Sequence, residues 1–292
     1  MVNHSCILCL DTPPGLFQNA LEKNRVKSNV RAFLDQEFTV WRCQRCKGLN
    51  TLEKFDFAAY YANYPMQAQK LDFPSKLFFF QRLRRLKKAG LQKNHRILDY
   101  GCGNGNFVRY LKMKGFHNAC GYDPYSAVYS DPKVIENKFD FITSQDVIEH
   151  TESPKDYFNT LANLVQPGGV LAIGTPNASK VDLFSSLDQV GRLHQPYHCH
   201  ILTDEILAKL FENAGFQITT KHTRFYVDTL FPFLNSGFLF RYMQAIDGSI
   251  ESAFEPIRIK LILKQPKLLL YGLFGRWLSP EQDITIAGVL KS

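Results

Sequence analysis

The sequence predicts an α/β chain: a doubly wound, mostly parallel sheet with an antiparallel last strand, preceded by a small cysteine-bound unit. Three observations carry this. From about residue 70 onward, helix-period and strand-like stretches alternate. Glycines at 101, 103 and 105 follow the apolar run Arg96-Ile97-Leu98 and open the next helical stretch. Two Cys-x-x-Cys pairs, Cys6/Cys9 and Cys43/Cys46, fall within the first fifty residues. A chain of 292 residues can hold one large core plus a small accessory unit. The boundaries read as a cysteine unit at 1–50, a helical linker capping the ligand site at 51–95, the main domain at 96–224 and 281–292, and an apolar, basic insertion at 225–280.

The two cysteine pairs stand thirty-three residues apart and together offer four thiolates to one tetrahedral zinc ion. Gly48 is expected to permit the tight turn after the second pair. Zinc would replace the hydrophobic core that so short a segment cannot build. Four ordinary thiols or a redox pair are the alternatives. The stretch from Asp11 to Gly15 and the polar run from Gln18 to Arg31 make a long excursion between the pairs.

Along the main domain, Ser75 to Lys88 reads as a basic amphipathic helix with Leu77, Phe80, Leu83 and Leu86 near one side. Its cations, Arg82 among them, read as a solvated face or as a surface for an anionic partner. After the strand ending at Asp99, Phe107, Val108 and Leu111 stripe a helix that Gly115 ends. A strand ends at Asp123, and residues 124–137 are too short and irregular for a further helix and strand, so that sheet edge is trimmed. Residues 138–143 read as the central strand. Ser153-Pro154 caps a helix with Tyr157, Phe158, Leu161, Leu164 and Val165 inward. Pro167-Gly168-Gly169 turns into the strand Val170 to Gly174, and Thr203 caps a helix with Ile206, Leu207, Leu210 and Phe211 inward. A strand begins at Phe216, and Asp283 to Leu290 fits its antiparallel partner, leaving about sixty residues between them.

The loop from Asp99 to Gly105 has the form of a backbone that must approach a bound nucleoside. It departs from the dinucleotide fingerprint, since Asn106 stands where the last glycine belongs, and the acid before the first glycine would repel a pyrophosphate. Asp123, eighteen residues after Gly105, can accept two hydrogen bonds from a ribose diol. On these residues the chain resembles the class I methyltransferases that use S-adenosylmethionine, with their Rossmann-like sheet. The resemblance implies a cofactor site of Asp99, Gly101, Cys102, Gly103, Gly105, Asn106, Tyr122, Asp123, Gln145, Asp146 and Val147. The block from Phe139 to His150, with Pro167-Gly168-Gly169 and Thr175-Pro176-Asn177, resembles the ubiquinone-biosynthesis O-methyltransferase branch. A zinc ribbon ahead of this domain resembles a group of methyltransferases acting on sugars and other small metabolites, in which a Tyr-rich segment follows the ribbon. Here that segment is Tyr60, Tyr61 and Tyr64, whose alternative role is to pack the ribbon onto the main domain.

Methyl transfer is an in-line displacement, so the protein aligns the reactants and removes a proton. His150, at the carboxyl end of the sheet, is the first candidate base. His198 and His200, in the run from His194 to His200, are the others. Asp146, Glu149 and His150 have i, i+3, i+4 spacing and would meet on one helical turn, where they could hold a divalent cation. The predicted function is methyl transfer, chiefly to oxygen, on a small-molecule, sugar or lipid-linked acceptor. A ribosomal-RNA base methyltransferase is the alternative, favoured by the net charge of +8, and a non-catalytic adaptor is the third. No basic leader with a following apolar run precedes Cys6, and seven cysteines do not form a disulfide framework in a reducing compartment. A cytoplasmic protein is expected. The insertion is expected to cap an apolar substrate, to touch a membrane surface, or to pack extra helices on the domain.

Overall fold

The computed structural model describes residues 4–10, 13–53, 60–61 and 64–291. Asp11 and Thr12 of the first excursion, and linker positions 54–59 and 62–63, lie outside the described residues. Strands β1 (Glu22–Lys27), β2 (Glu37–Arg42) and β3 (Leu49–Thr51) form an antiparallel sheet beside the cysteines. A fourth strand comes from far along the chain: β8 (His200–Ile201) pairs with β3. The cysteine unit therefore shares its sheet with the main domain. It also shares a core, because Leu8, Trp41 and Cys43 cluster with Ile206 and Leu207. Arg42 ties the two further, donating to the carbonyls of Ala178 (2.6 Å) and Val181 (2.7 Å).

The main sheet contains β4 (Ile97–Tyr100), β5 (Ala119–Tyr122), β6 (Phe139–Gln145), β7 (Val165–Pro176), β9 (Phe216–His222) and β10 (Asp283–Leu290), in the order β5-β4-β6-β7-β10-β9. Only β10 runs against its neighbours. Alternate residues feed two cores, as the pleat requires. Ile97, Phe141, Ala172 and Ala287 meet α1 (Phe73–Lys88) and α2 (Asn106–Met113). Leu98, Ile142, Leu171, Ile173, Ile284 and Ile286 meet α3 (Pro154–Leu164) and α5 (Asp204–Asn213). A short α4 (Ser186–Gly191) precedes β8.

The trimmed edge is present: β5 ends the sheet, and residues 124–137 contribute only a 3-10 turn over Pro132–Glu136. Strand β7 is longer than expected. Val165 pairs with Phe139, Val170 pairs with Phe141, and the Pro167-Gly168-Gly169 turn is absorbed as a bulge within the strand. Helix α1 begins two residues earlier than expected, capped by the Asp72 carboxylate, which accepts from the Ser75 amide at 3.0 Å. Its inward face is Phe79, Arg82, Leu83 and Leu86, while Phe80 is exposed. Gly48 is needed for close approach, since a Cβ there would come within 2.6 Å of Leu8 Cδ1; the left-handed residue of that turn is Lys47, at φ 61°.

The insertion between β9 and β10 holds α6 (Ser236–Ile246), α7 (Ile259–Lys264) and α8 (Pro266–Leu278). Phe238, Tyr242, Ile262 and Leu268 form its own small core. Gly272 and Gly275 let α8 lie directly on Phe233 and Asn235, where a Cβ would come within 2.3 Å and 2.1 Å of their side chains.

Candidate active site

The glycine loop joins β4 to α2, and Gly101, Gly103 and Gly105 all have positive φ, which side chains with a Cβ rarely adopt. What a Cβ would meet differs among them. At Gly101 it would strike Val147 at 2.4 Å, and at Gly105 the Tyr129 ring at 2.2 Å. At Gly103 no atom of the described residues lies within 4 Å, so of the three loop glycines this one faces open space where a ligand can approach the backbone. Asp123, at the end of β5, accepts from the Gly103 amide (2.8 Å) and the Tyr125 amide (2.9 Å), which fixes its carboxylate beside that space. Each oxygen keeps acceptor capacity for a diol.

Asp99 does not face the ligand space alone. It is buried and ion-paired with Arg82 at 2.7 Å, and the same guanidinium donates to Thr143 Oγ1 at 3.1 Å. Burial pushes the Asp99 carboxyl up and Arg82 opposes that rise. The Asn104 and Asn106 side chains both donate to the Gln69 carbonyl, at 2.7 and 2.8 Å, drawing the segment before α1 over the loop. Tyr122 packs at 5.2 Å from the Tyr100 ring, and the side chain of Cys102 sits against Gly121.

Beyond β6 the chain turns sharply. Gln145 donates to Asp146 Oδ1 at 2.8 Å, Asp146 takes φ 56°, and a single 3-10 turn spans Ile148–His150. This geometry departs from the helical turn expected from the spacing. Asp146 points to Tyr226, whose hydroxyl lies 3.4 Å from Oδ2, and burial pushes its carboxyl up to about 6. The third group beside Glu149 and His150 is instead His198, and one ligand-type atom from each of these three lies within 4.8 Å of the others.

Glu149 is fully buried, with Thr175 donating to Oε2 at 2.9 Å and, among the described residues, no hydrogen-bond partner for Oε1, which stands 3.9 Å from His198 Nε2. Burial holds the Glu149 carboxyl well above the usual range. The His198 Nδ1 lies 2.5 Å from the Arg192 carbonyl, which can only accept, so Nδ1 carries the proton and Nε2 is the acceptor nitrogen. Burial also lowers His198, to about 4. His150 Nδ1 is hydrogen-bonded to the Tyr61 hydroxyl at 3.1 Å, and burial, then His198 and His194, keep its imidazole neutral.

An aromatic wall faces this group. Tyr61 stacks on Tyr125 at 4.3 Å, Tyr64 packs on Tyr197 at 4.7 Å, and Tyr64 meets the His150 ring edge-on at 6.0 Å. Tyr61 and Tyr64 thus lie at the site itself, beyond any role in packing. His194 and His200 are held by the cysteine unit: His194 Nδ1 lies 2.7 Å from Asn29 Oδ1, and His200 Nδ1 lies 3.2 Å from Asn50 Oδ1. Of the three histidines in the run, only His198 meets both Glu149 and His150. Composition and spacing did not place Arg82, Tyr129 or Tyr226 at the site, because each comes from an element outside the motif, and Arg82 read as a surface cation. Thr175 lay within a stretch singled out for its resemblance.

The four cysteine sulfurs lie within 4.8 Å of one another, with Cys6 to Cys46 at 3.5 Å and Cys9 to Cys43 at 3.6 Å. A tetrahedral ion with metal–sulfur bonds of about 2.3 Å needs edges of about 3.8 Å, so the donor set fits zinc. The Cys46 thiol is pulled down to about 6, first by the Cys6 hydrogen bond. The Asn50 amide donates to Cys6 Sγ at 3.3 Å, as metal-bound sulfur commonly requires.

Residues 73–221, about half the chain, match the methyltransferase domain family. The chain is 25% identical over 184 residues to a ubiquinone biosynthesis O-methyltransferase of Dinoroseobacter shibae, covering 53% of this chain and 73% of that one. It is 28% identical over 105 residues to the enzyme of that name from Colwellia psychrerythraea, covering 28% of this chain and 42% of the other. Among solved structures, it superposes on a Haemonchus contortus phosphoethanolamine N-methyltransferase with a TM-score of 0.52 at 16% identity, covering 93% of this chain and 69% of that one. A chain from the Haloferax volcanii complex of the Trm112 activator with a methyltransferase gives 0.50 at 11% identity, covering 82% of this chain and all of the other. With the glycine loop, the acid at the end of β5 and the sheet order above, these findings agree: the chain belongs to the methyltransferase domain family and is a class I S-adenosylmethionine-dependent methyltransferase.

Proposed function

We propose that the protein transfers a methyl group to a hydroxyl of a small, ring-bearing acceptor, which is either free, sugar-like or lipid-linked. The observation that carries this is the buried group of Glu149, His150 and His198 facing the wall of Tyr61, Tyr64 and Tyr197. S-Adenosylmethionine supplies an electrophilic methyl when bound. Gly103, with Asp123 beside it, leaves the open backbone the nucleoside needs, and Val147 pressed on Gly101 sets the loop against the turn that carries His150.

Proton removal falls to His150. Burial keeps its ring neutral, hence with one nitrogen able to accept a proton, and the hydrogen bond between Nδ1 and the Tyr61 hydroxyl holds the ring in place. Loss of a hydroxyl proton to a neutral base as the methyl cation-equivalent leaves the sulfonium conserves charge across the reaction. Aromatic faces favour a planar or apolar acceptor by stacking and burial. The similarity to proteins named ubiquinone biosynthesis O-methyltransferase supports oxygen as the attacking atom.

A second reading is favoured by Glu149 Oε1, a buried carboxyl oxygen without a hydrogen-bond partner among the described residues. Glu149, His150 and His198 could hold a divalent cation, with Thr175 and the Arg192 carbonyl orienting two of the ligands. Such an ion would lower the pKa of an acceptor hydroxyl. At the cysteines, zinc would fix β1–β3 and β8 around Asn50. Asn50 of that sheet in turn holds His200, and Asn29, just beyond β1, holds His194.

Incubation with methyl-labelled cofactor and cell extract, followed by fractionation, tests the reading. Label is expected in an organic-soluble or small-metabolite fraction as a base-stable ether. Label in RNA would overturn it in favour of a nucleic-acid acceptor.

A further inference from the structure

Helix α8 carries its polarity the wrong way round for an ordinary surface helix. Leu270, Leu273, Phe274, Trp277 and Leu278 recur at i, i+3, i+4, i+7 and i+8, and all face solvent, Trp277 being 63% exposed. The inward side is Leu268, Gly272 and Gly275. Small residues therefore pack on the protein while large apolar ones are left outside, the inverse of what burial alone would select. Helix α7 extends the feature, with Ile259 and Leu263 exposed among Lys260 and Lys264, and Lys267 opens α8.

Cations outnumber acids beside this face. At the far end of α8, Arg276 enters a cleft lined by Arg84, Arg85, Lys88, Lys221 and Arg224, with Glu281 as its acid. Arg224 binds Glu281 at 2.9 Å and Lys221 binds Asp204 at 2.6 Å. The cleft stays strongly cationic, and burial together with Arg224 lowers the Arg276 guanidinium. An apolar band with lysines at one end and arginines at the other suits an interface with an anionic polar layer over an apolar interior. A second copy of the chain suits it poorly: antiparallel pairing of two α8 helices would set the lysine end of one against the arginine end of the other. Thirteen residues span about 20 Å, short of the roughly 30 Å apolar core of a bilayer, so the helix would lie in the plane of the interface.

We propose that the outward face of α8, flanked by Lys260, Lys264 and Lys267 and by the Arg276 cleft, docks the protein on an anionic membrane surface. The loop between β9 and α6 runs from the site to this helix. Tyr226 contacts Asp146, Leu230 and Phe231 are exposed, and the Phe233 amide donates to the Gly272 carbonyl at 2.6 Å. Docking does not depend on which acceptor is methylated.

The chain contains its own reporter. It has two tryptophans, Trp41 fully buried and Trp277 on the proposed face. The full-length protein is titrated with phosphatidylcholine vesicles containing about one-third phosphatidylglycerol, and separately with pure phosphatidylcholine vesicles. Expected are a blue shift of tryptophan emission, quenching by brominated acyl chains and co-flotation with the anionic vesicles, all weakened by salt. Leu273→Ser with Phe274→Ser is expected to weaken binding at least about thirtyfold, and Lys264→Gln with Lys267→Gln about tenfold. Circular dichroism checks the fold of both variants, and quenching in the unaltered chain needs no variant. The proposal is overturned by an absence of shift and flotation with anionic vesicles, or by unchanged binding of the Leu273/Phe274 variant. It is also overturned if the protein is a dimer that this variant dissociates and that binds no vesicles.

Discussion

The Arg82 guanidinium lies 2.7 Å from the Asp99 carboxylate, both side chains being buried beneath the cofactor loop, with the Phe107 ring 3.9 Å from the guanidinium carbon. One member of a basic helix thereby becomes the internal counter-charge of the acid that opens the glycine motif. Breaking one side of such a pair leaves an uncompensated charge in the core. Arg82→Met is expected to destabilise the fold by about 3–5 kcal/mol. Adding Asp99→Asn should recover part of that loss, as read by urea denaturation of both variants.

The three loop glycines should separate by role. Gly105→Ala places a methyl in the Tyr129 ring and Gly101→Ala places one in Val147, so both should lower the melting temperature of the cofactor-free protein. Gly103→Ala meets no atom of the described residues and carries a backbone cost of about 1–2 kcal/mol. Its main effect should be on S-adenosylmethionine affinity, measured by calorimetry against the other two.

Much of this was legible in the sequence because local signals and tertiary packing agree. Ser153 and Thr203 cap α3 and α5 as their spacing implied, and Phe158, Leu161, Leu207 and Phe211 point inward. Residues that a single element places were readable. Those placed by two elements were not. Arg82 read as a surface cation because only β4, arriving later, gives it Asp99. His198 could not be distinguished from His200, since only the pairing of β3 with β8 sets His200 against Asn50. The i, i+3, i+4 spacing of Asp146, Glu149 and His150 suggested a helical turn, but Asp146 takes a left-handed backbone and hands its place to His198.

Asp283 opens β10 beside Arg192 at 3.3 Å, and burial pushes its carboxyl up to about 7. A carboxyl raised above its unfolded value near 3.9 stabilises the fold fully below that pH, and the contribution is lost as pH rises through the folded value. Thermal stability should therefore decline from about pH 4 to about pH 7 through this group. Asp283→Asn should flatten that slope in melting curves recorded across the range.

Zinc at the cysteines should be measurable as about one ion per chain by elemental analysis. Cys46→Ser, or removal by a strong chelator, should lower the melting temperature by something on the order of 5–10 °C. Because β8 joins that sheet, hydrogen exchange should rise at Asn50 and His200 as well as near the cysteines. Exchange confined to residues before β1 would show that the metal does not support the shared sheet.

The central claim is that His150 takes the acceptor's proton beside a cofactor held by the loop at Gly103. Single-turnover transfer from labelled S-adenosylmethionine to the acceptor fraction, compared between the unaltered protein and His150→Gln at matched cofactor saturation, tests it most directly. The expected result is a loss of about 100-fold or more in the transfer rate with cofactor affinity unchanged. An unchanged transfer rate in His150→Gln, with cofactor still bound, would contradict it.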